Sequence, residues 1–99
     1  MTYASPPQRR AFISGLRALA DFLEGNPDVP APEYTDVLVF PPSASDAEKR
    51  RQIDVIASRI GSVAETFSTY RHYQTSRRFG PVEYRAVAIP ADENTEPSK

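Results

Sequence analysis

Two extended segments folded about Gly80-Pro81 constrain this chain more than any other stretch. From Tyr73 to Pro90 it reads Tyr-Gln-Thr-Ser-Arg-Arg-Phe-Gly-Pro-Val-Glu-Tyr-Arg-Ala-Val-Ala-Ile-Pro, with aromatic, basic and β-branched residues at alternating positions. If the turn is Gly80-Pro81 alone, position numbers across the ladder sum to a constant. Phe79 then faces Val82, Arg78 faces Glu83, Arg77 faces Tyr84, Thr75 faces Ala86 and Tyr73 faces Ala88. One face collects Phe79, Val82, Tyr84, Tyr73, Ala86 and Ala88 and is core-like. The other collects Arg78, Ser76, Gln74, His72, Glu83 and Arg85, interrupted by Val87 and Ile89. Glycine-proline is a poor match to the primed hairpin turns, because proline has no amide donor and restricts the glycine before it. A longer loop is the alternative, and a shift of one residue exchanges the faces on one strand.

Upstream, the first helix announces itself at Ser5-Pro6-Pro7-Gln8, an N-cap serine with proline at the first helical position and glutamine three residues after the cap. Phe12, Leu16, Leu19 and Leu23 recur at helical spacing, and Ile13 and Ala20 widen the stripe. Gly25 is placed for a left-handed C-terminal residue, and Pro27 stops the helix. Three prolines between Asn26 and Pro32 make an extended connection. Tyr34 to Phe40 is β-branched and aromatic, and Val37 to Phe40, apolar on both faces, reads as an interior strand. Ser45-Asp46-Ala47-Glu48 forms a second capping box. Ile53, Ile56, Ala57 and Ile60 supply its apolar stripe, with Val55 at the margin. Asp54 is placed to pair with Arg50 or Arg51, and Gly61 closes the helix. Val63 to Tyr70 is a weaker strand candidate.

The expected architecture is therefore α+β, a two-layer sandwich of order α-β-α-β-β-β. Both helices pack on one face of a four-stranded mixed or antiparallel sheet. Residues 1–90 form a single domain, and the acidic stretch 91–99 is a disordered tail. A chain of 99 residues buries about 65% of its extended surface on folding, which leaves little to wall a deep cleft. No window is long and apolar enough to cross a membrane, and the N-terminus lacks the apolar core of a secretory signal. A cytoplasmic location is expected.

Charge is unevenly spread. Residues 1–65 carry seven basic and nine acidic side chains, whereas residues 66–90 carry Arg71, Arg77, Arg78 and Arg85 against Glu83 alone. Lys99 stands against Asp92, Glu93 and Glu96 in the tail. Arginines interleaved with aromatics on a sheet suit single-stranded nucleic acid, rings stacking on bases and guanidinium groups meeting phosphates. Arg71, Arg78 and Arg85 with His72 and Tyr70 are the candidates. A net charge of −1 argues against a dedicated nucleic-acid binder.

Catalytic chemistry finds few residues to rest on. The absence of cysteine removes disulfides and thiolate metal sites. His72 is the sole histidine, with neither an orienting carboxylate nor a nucleophile nearby in the sequence, and it reads as a surface or strand-pairing residue. Asp36 interrupts an apolar strand; it faces solvent near the strand start, or, if buried, it needs an arginine or a backbone donor. The four glycines are isolated, so no phosphate-cradling loop exists. Gly15 lies mid-helix, where it costs about 1 kcal/mol relative to alanine.

The text Leu-Ala-Asp-Phe-Leu-Glu-Gly-Asn-Pro-Asp-Val-Pro, joined to Arg-Arg-Phe-Gly-Pro-Val-Glu-Tyr-Arg-Ala-Val-Ala-Ile-Pro, resembles small uncharacterised proteins of actinobacteria, their phages and integrated plasmids. The resemblance spans Ala11 to Pro90, implies a mobile-element or actinobacterial setting, and transfers no catalytic residue. The expectation is a non-enzymatic interaction or accessory protein with no cofactor, metal or small-molecule substrate. It acts through a protein partner or by self-association, with Val87 and Ile89 as exposed apolar positions on the mostly polar sheet face. Nucleic-acid binding through the basic hairpin is the alternative.

Overall fold

The computed structural model describes residues 3–67 and 71–90, so the C-terminal stretch 91–99 lies outside the described residues. The elements follow the expected order: α1 (Pro6–Gly25), β1 (Thr35–Val39), α2 (Asp46–Ile60), β2 (Glu65–Phe67), β3 (His72–Phe79) and β4 (Val82–Ala88). Where the sequence suggests one domain over residues 1–90, the contacts group into two compact units. Ala4–Glu33 forms one, and Tyr34–Lys99 with Met1–Tyr3 forms the other. No described helix is long and apolar enough to cross a membrane.

The larger unit is a four-stranded mixed sheet of order β1-β4-β3-β2 with α2 packed on it. The hairpin register is the one that a two-residue turn dictates: Phe79 pairs with Val82, Arg78 with Glu83, Arg77 with Tyr84, Thr75 with Ala86 and Tyr73 with Ala88. Gly80 makes the turn workable, because its φ of 63° lies in the left-handed region. On the far side of β4, β1 pairs in parallel, Asp36 beside Glu83 and Val39 beside Ala86. β1 is therefore an edge strand, contrary to the interior position its apolar run suggests, and Leu38 is half exposed. The interior places belong to β4 and β3, and β4 has buried residues facing both ways.

α2 begins at Ser45, whose hydroxyl accepts from the Glu48 amide at 3.2 Å. The reciprocal half of the capping box does not form. The Glu48 carboxylate turns instead to Arg51 and Gln52, and the Ser45 amide donates to Ser43 Oγ. Gly61 closes the helix at φ 70°. Ile53 is fully buried and packs with Ala86 and Ala88, bordered by Val39, Ile56, Ala64, Tyr73 and Tyr84. The small alanines of β4 let the helix seat closely on the sheet. Above them Asp54 accepts from Tyr73 Oη, while Arg50 lies over the Tyr73 ring and donates to Thr66. Asp54 and Arg50 thus reach Tyr73 while Arg51 pairs with Glu48, which displaces the expected Asp54–arginine pairs. Thr75, buried on the same face, donates to the Val63 carbonyl and leaves no orphan hydroxyl.

In the smaller unit α1 carries the full capping box: Ser5 Oγ accepts from the Gln8 amide and the Gln8 side chain from the Ser5 amide. Its C-terminus is capped by Asn26, whose side-chain amide donates to the Phe22 carbonyl at 2.8 Å. Gly25 stays helical, because asparagine can close the last turn without a left-handed residue. No residue of α1 is buried.

With one large side chain fully enclosed, the core of the larger unit rests on Ile53. Ile53→Ala is expected to remove about 3 kcal/mol of unfolding free energy, whereas Val55→Ala, at an exposed position, changes it by less than about 0.5 kcal/mol. Urea titrations followed by circular dichroism check both.

Candidate functional site

Three features stand out. The first lies on the sheet face opposite α2, where strand alternation puts Asp36, Glu83, Arg85, Ser76 and Arg78 together. Tyr34, just before β1, points its hydroxyl at two carboxylates, 2.5 Å from Asp36 Oδ1 and 2.7 Å from Glu83 Oε1. Arg85 binds all three groups: Glu83 at 3.1 Å, the Tyr34 hydroxyl at 3.2 Å and Asp36 at 3.4 Å. Arg78 adds a longer pair to Glu83 at 3.6 Å and lies over the Tyr34 ring. Two carboxylates thus face two guanidinium groups, and the cluster neutralises itself. Hydrogen bonds from Ser76 and then Tyr34, helped by Arg85 and Arg78, hold the Glu83 carboxyl below the usual glutamate range. Hydrogen bonding to Asp36 and then Glu83 pushes the Tyr34 phenol up. Asp36 is therefore both solvent-facing and paired with an arginine.

This bonding changes the meaning of the hairpin arginines. Arg78 and Arg85 share Glu83, so they do not present a free cationic stripe. Arg71 sits at the other end of β3, seven residues or roughly 23 Å of extended strand away. It takes a left-handed conformation with φ 58°.

There Arg71 joins a different group, the second feature. It lines a recess of about 370 Å³ with Lys49, Arg50, Asp46, Thr66, Ala88, Ile89 and Pro90. Lys49 donates to the Ile89 carbonyl at 3.0 Å and lies 3.9 Å from Asp46. Three cations from α2 and the start of β3 meet here, a grouping that needs the tertiary fold and has no sequence signal. His72, half-buried, pairs across the sheet with Phe67 at that same end. It is six strand positions from the level of Asp36, which Glu83 and Arg78 share, so the two do not converge on one site.

Val87 and Ile89 correct a reading made from alternation alone. Val87 is 6% exposed and Ile89 is half-buried. The reason is the central place of β4, where a strand lies on either side. Phe40 and Pro41 complete a second recess of about 340 Å³ around Val87 and Ile89. They do not form an exposed apolar patch. Among the described residues no group of three or more histidine, cysteine, aspartate or glutamate side chains is arranged to hold a metal ion.

The third feature was read from the sequence as a helical apolar stripe, without Phe22, and not as a candidate site. Phe12, Ile13, Leu16, Leu19 and Phe22 of α1 are 38–53% exposed. At 100° per residue these side chains, with Leu23, occupy about half the helix circumference. Arg10, Ser14, Arg17, Asp21 and Glu24 fill the other side. The legible signal was breadth, a stripe wider than one sheet contact needs.

No protein-family model matches the chain, and neither a curated protein nor a solved structure is found similar to it.

The polar cluster makes a pH prediction. Because the Glu83 pKa is depressed by folding, its stabilising effect is complete above the ordinary glutamate value of about 4.3 and is lost as pH falls through the lower folded value. Glu83→Gln is expected to lower stability at neutral pH and to flatten the acid limb of the stability–pH curve. Urea midpoints measured from about pH 6 to pH 3 test this; an acid limb unchanged by the substitution contradicts it.

Proposed function

We propose that the protein is a non-enzymatic interaction protein that presents the apolar face of α1 to a protein partner or to another copy of itself. The observation carrying this reading is the run of five large apolar side chains left substantially exposed along a well-capped helix. Scattered surface hydrophobics are ordinary, whereas a contiguous apolar face of this breadth is characteristic of a docking surface. A helix laid into a partner groove is read through anchors at such spacings. An accessory role in a mobile element, the setting the resemblance implies, is compatible with a small chain that works by association.

A photo-crosslinking side chain at Leu16 is expected to give adducts heavier than the chain in cells, and the same group at Ser14 is not. Adducts to another protein or to a second copy both support the reading. No adduct from Leu16, or equal adducts from the two positions, overturns it.

A second reading, nucleic-acid binding, is favoured by the convergence of Lys49, Arg50 and Arg71 around one recess. It moves the contact from the hairpin to the α2 end of the sheet. Under it, Lys49→Ala/Arg50→Ala/Arg71→Ala removes salt-dependent oligonucleotide affinity while Arg78→Ala/Arg85→Ala leaves it nearly intact. Fluorescence anisotropy with labelled single strands at two salt concentrations decides the matter; binding unaffected by the first triple change contradicts this reading.

A further inference from the structure

The cations of the larger unit divide into those that carboxylates hold and those that they do not. Arg78 and Arg85 share Glu83, Arg85 also meets Asp36, and Arg51 pairs with Glu48. Among the described residues neither Arg50 nor Arg71 lies within ion-pair distance of a carboxylate. Arg50 lies over the Tyr73 ring and donates to Thr66 Oγ1 at 3.4 Å. Both arginines line the recess of about 370 Å³ together with Lys49, whose side chain is 16% exposed and donates to the Ile89 carbonyl. Asp46 is the one carboxylate in the lining, so the three cations leave a surplus of two positive charges.

Two independent features place that charge, and the first is topology. β1 runs parallel to β4, so α2, which follows β1, starts at the end of the sheet where both strands finish. β3 is antiparallel to β4 and begins there, and β2 ends there with Phe67 beside His72. Lys49 and Arg50 at the start of α2, Arg71 before β3 and Thr66 of β2 therefore meet around Ala88, Ile89 and Pro90. In sheets with parallel strands, ligand crevices open at this carboxyl end. The second feature is backbone strain. Three described residues have positive φ: Gly61, Gly80 and Arg71. Glycine takes that conformation freely, whereas a side chain there crowds the following carbonyl. At the first two positions the chain uses glycine. At the third it keeps an arginine, the residue that completes the cationic lining, and strain of this kind gathers at ligand sites.

We infer that this recess binds a single phosphate monoester carried on a small apolar or aromatic group such as a nucleoside. The inference builds on the nucleic-acid reading of the recess and narrows the ligand to one phosphate, terminal on a strand or carried by a free nucleotide. A monoester bears close to two negative charges at neutral pH, on three terminal oxygens. Its charge matches the surplus of the recess. Two guanidinium groups, the Lys49 ammonium and the Thr66 hydroxyl, which accepts from Arg50 and keeps its own proton, supply the donors. A phosphodiester inside a strand has one charge and two such oxygens. A strand also needs a basic track along its length, which Arg78 and Arg85, already paired, do not provide. The volume lies near the lower bound of small-ligand sites. The second recess, about 340 Å³, adjoins the first across Lys49 and Ile89. Its walls of Phe40, Pro41 and Val87 offer an apolar surface to the group that bears the phosphate.

Isothermal titration calorimetry of the full chain compares adenosine monophosphate with adenosine, and a short single strand bearing a terminal phosphate with the same strand lacking it. The phosphorylated member of at least one pair is expected to bind roughly tenfold tighter or more. Arg71→Gly is expected to remove that difference. Glycine suits the positive φ, so the urea midpoint of this variant holds or rises while its phosphate preference disappears. Arg77→Ala, an equal loss of charge at an exposed position of β3, leaves the preference intact. Binding of free adenosine monophosphate with no strand binding supports the inference and ends the nucleic-acid reading. Strands that bind equally with and without the terminal phosphate, beside a mononucleotide that binds no better than adenosine, overturn the inference and leave the nucleic-acid reading standing. No binding of any of the four probes overturns both. An Arg71→Gly chain that keeps the phosphate preference also overturns the inference.

Discussion

The larger unit depends on the contact between Ile53 of α2 and the alanine pair Ala86 and Ala88 of β4. β4 lies between two strands, parallel β1 and antiparallel β3. Its alanines are small enough for α2 to approach, and the helix is then held at its edges by the Asp54–Tyr73 hydrogen bond and the Arg50–Tyr73 stack. The opposite face of the same strand carries Glu83 and Arg85, the centre of the polar cluster with Tyr34 and Asp36. One strand thus supplies the core on one side and a neutralised polar network on the other. The arginines that look available in the sequence are the counter-charges of that network.

How much of this was legible follows from the range of each signal. Local signals were sufficient for the helix starts at Ser5 and Ser45 and for the glycine closing α2, because each is decided within a few residues. The hairpin register followed from a two-residue turn and the pleat, and the face with Tyr73, Tyr84, Ala86 and Ala88 is the one α2 covers. What failed were inferences about neighbours. The apolar run at Val37–Phe40 says that a strand is there but not that β4 will take the central place. Val87 and Ile89 looked exposed for the same reason: alternation assigns a face, and strand order decides what covers it. Gly25 against Asn26 shows a narrower limit, since both residues can end a helix and adjacent positions compete.

The candidate sites show the same division. The polar cluster joins β1 to β4 across 49 positions of sequence, and the cationic recess joins α2 to the start of β3. Neither is visible as a motif. The α1 face was visible as a stripe and was assigned to the chain's own sheet, because an amphipathic helix beside a sheet is ordinarily half of a two-layer fold. What that stripe does not reveal is how much of it stays exposed: Phe12, Leu16, Leu19 and Phe22 remain 44–53% exposed. An isolated helix of this length is marginal in water, so a helix with its apolar face exposed gains most of its stability from whatever covers that face.

Hydrogen exchange by mass spectrometry on the full chain, at several protein concentrations, tests this account most directly. Amides of α2 and β4 are expected to be the most protected at every concentration, since they open only when the Ile53 contact is lost. Protection of α1 in the chain alone is expected to be well below that of β4. Protection of α1 that equals that of β4 in dilute solution, and does not change on concentrating the sample, would show that the chain covers this helix by itself and would contradict the account.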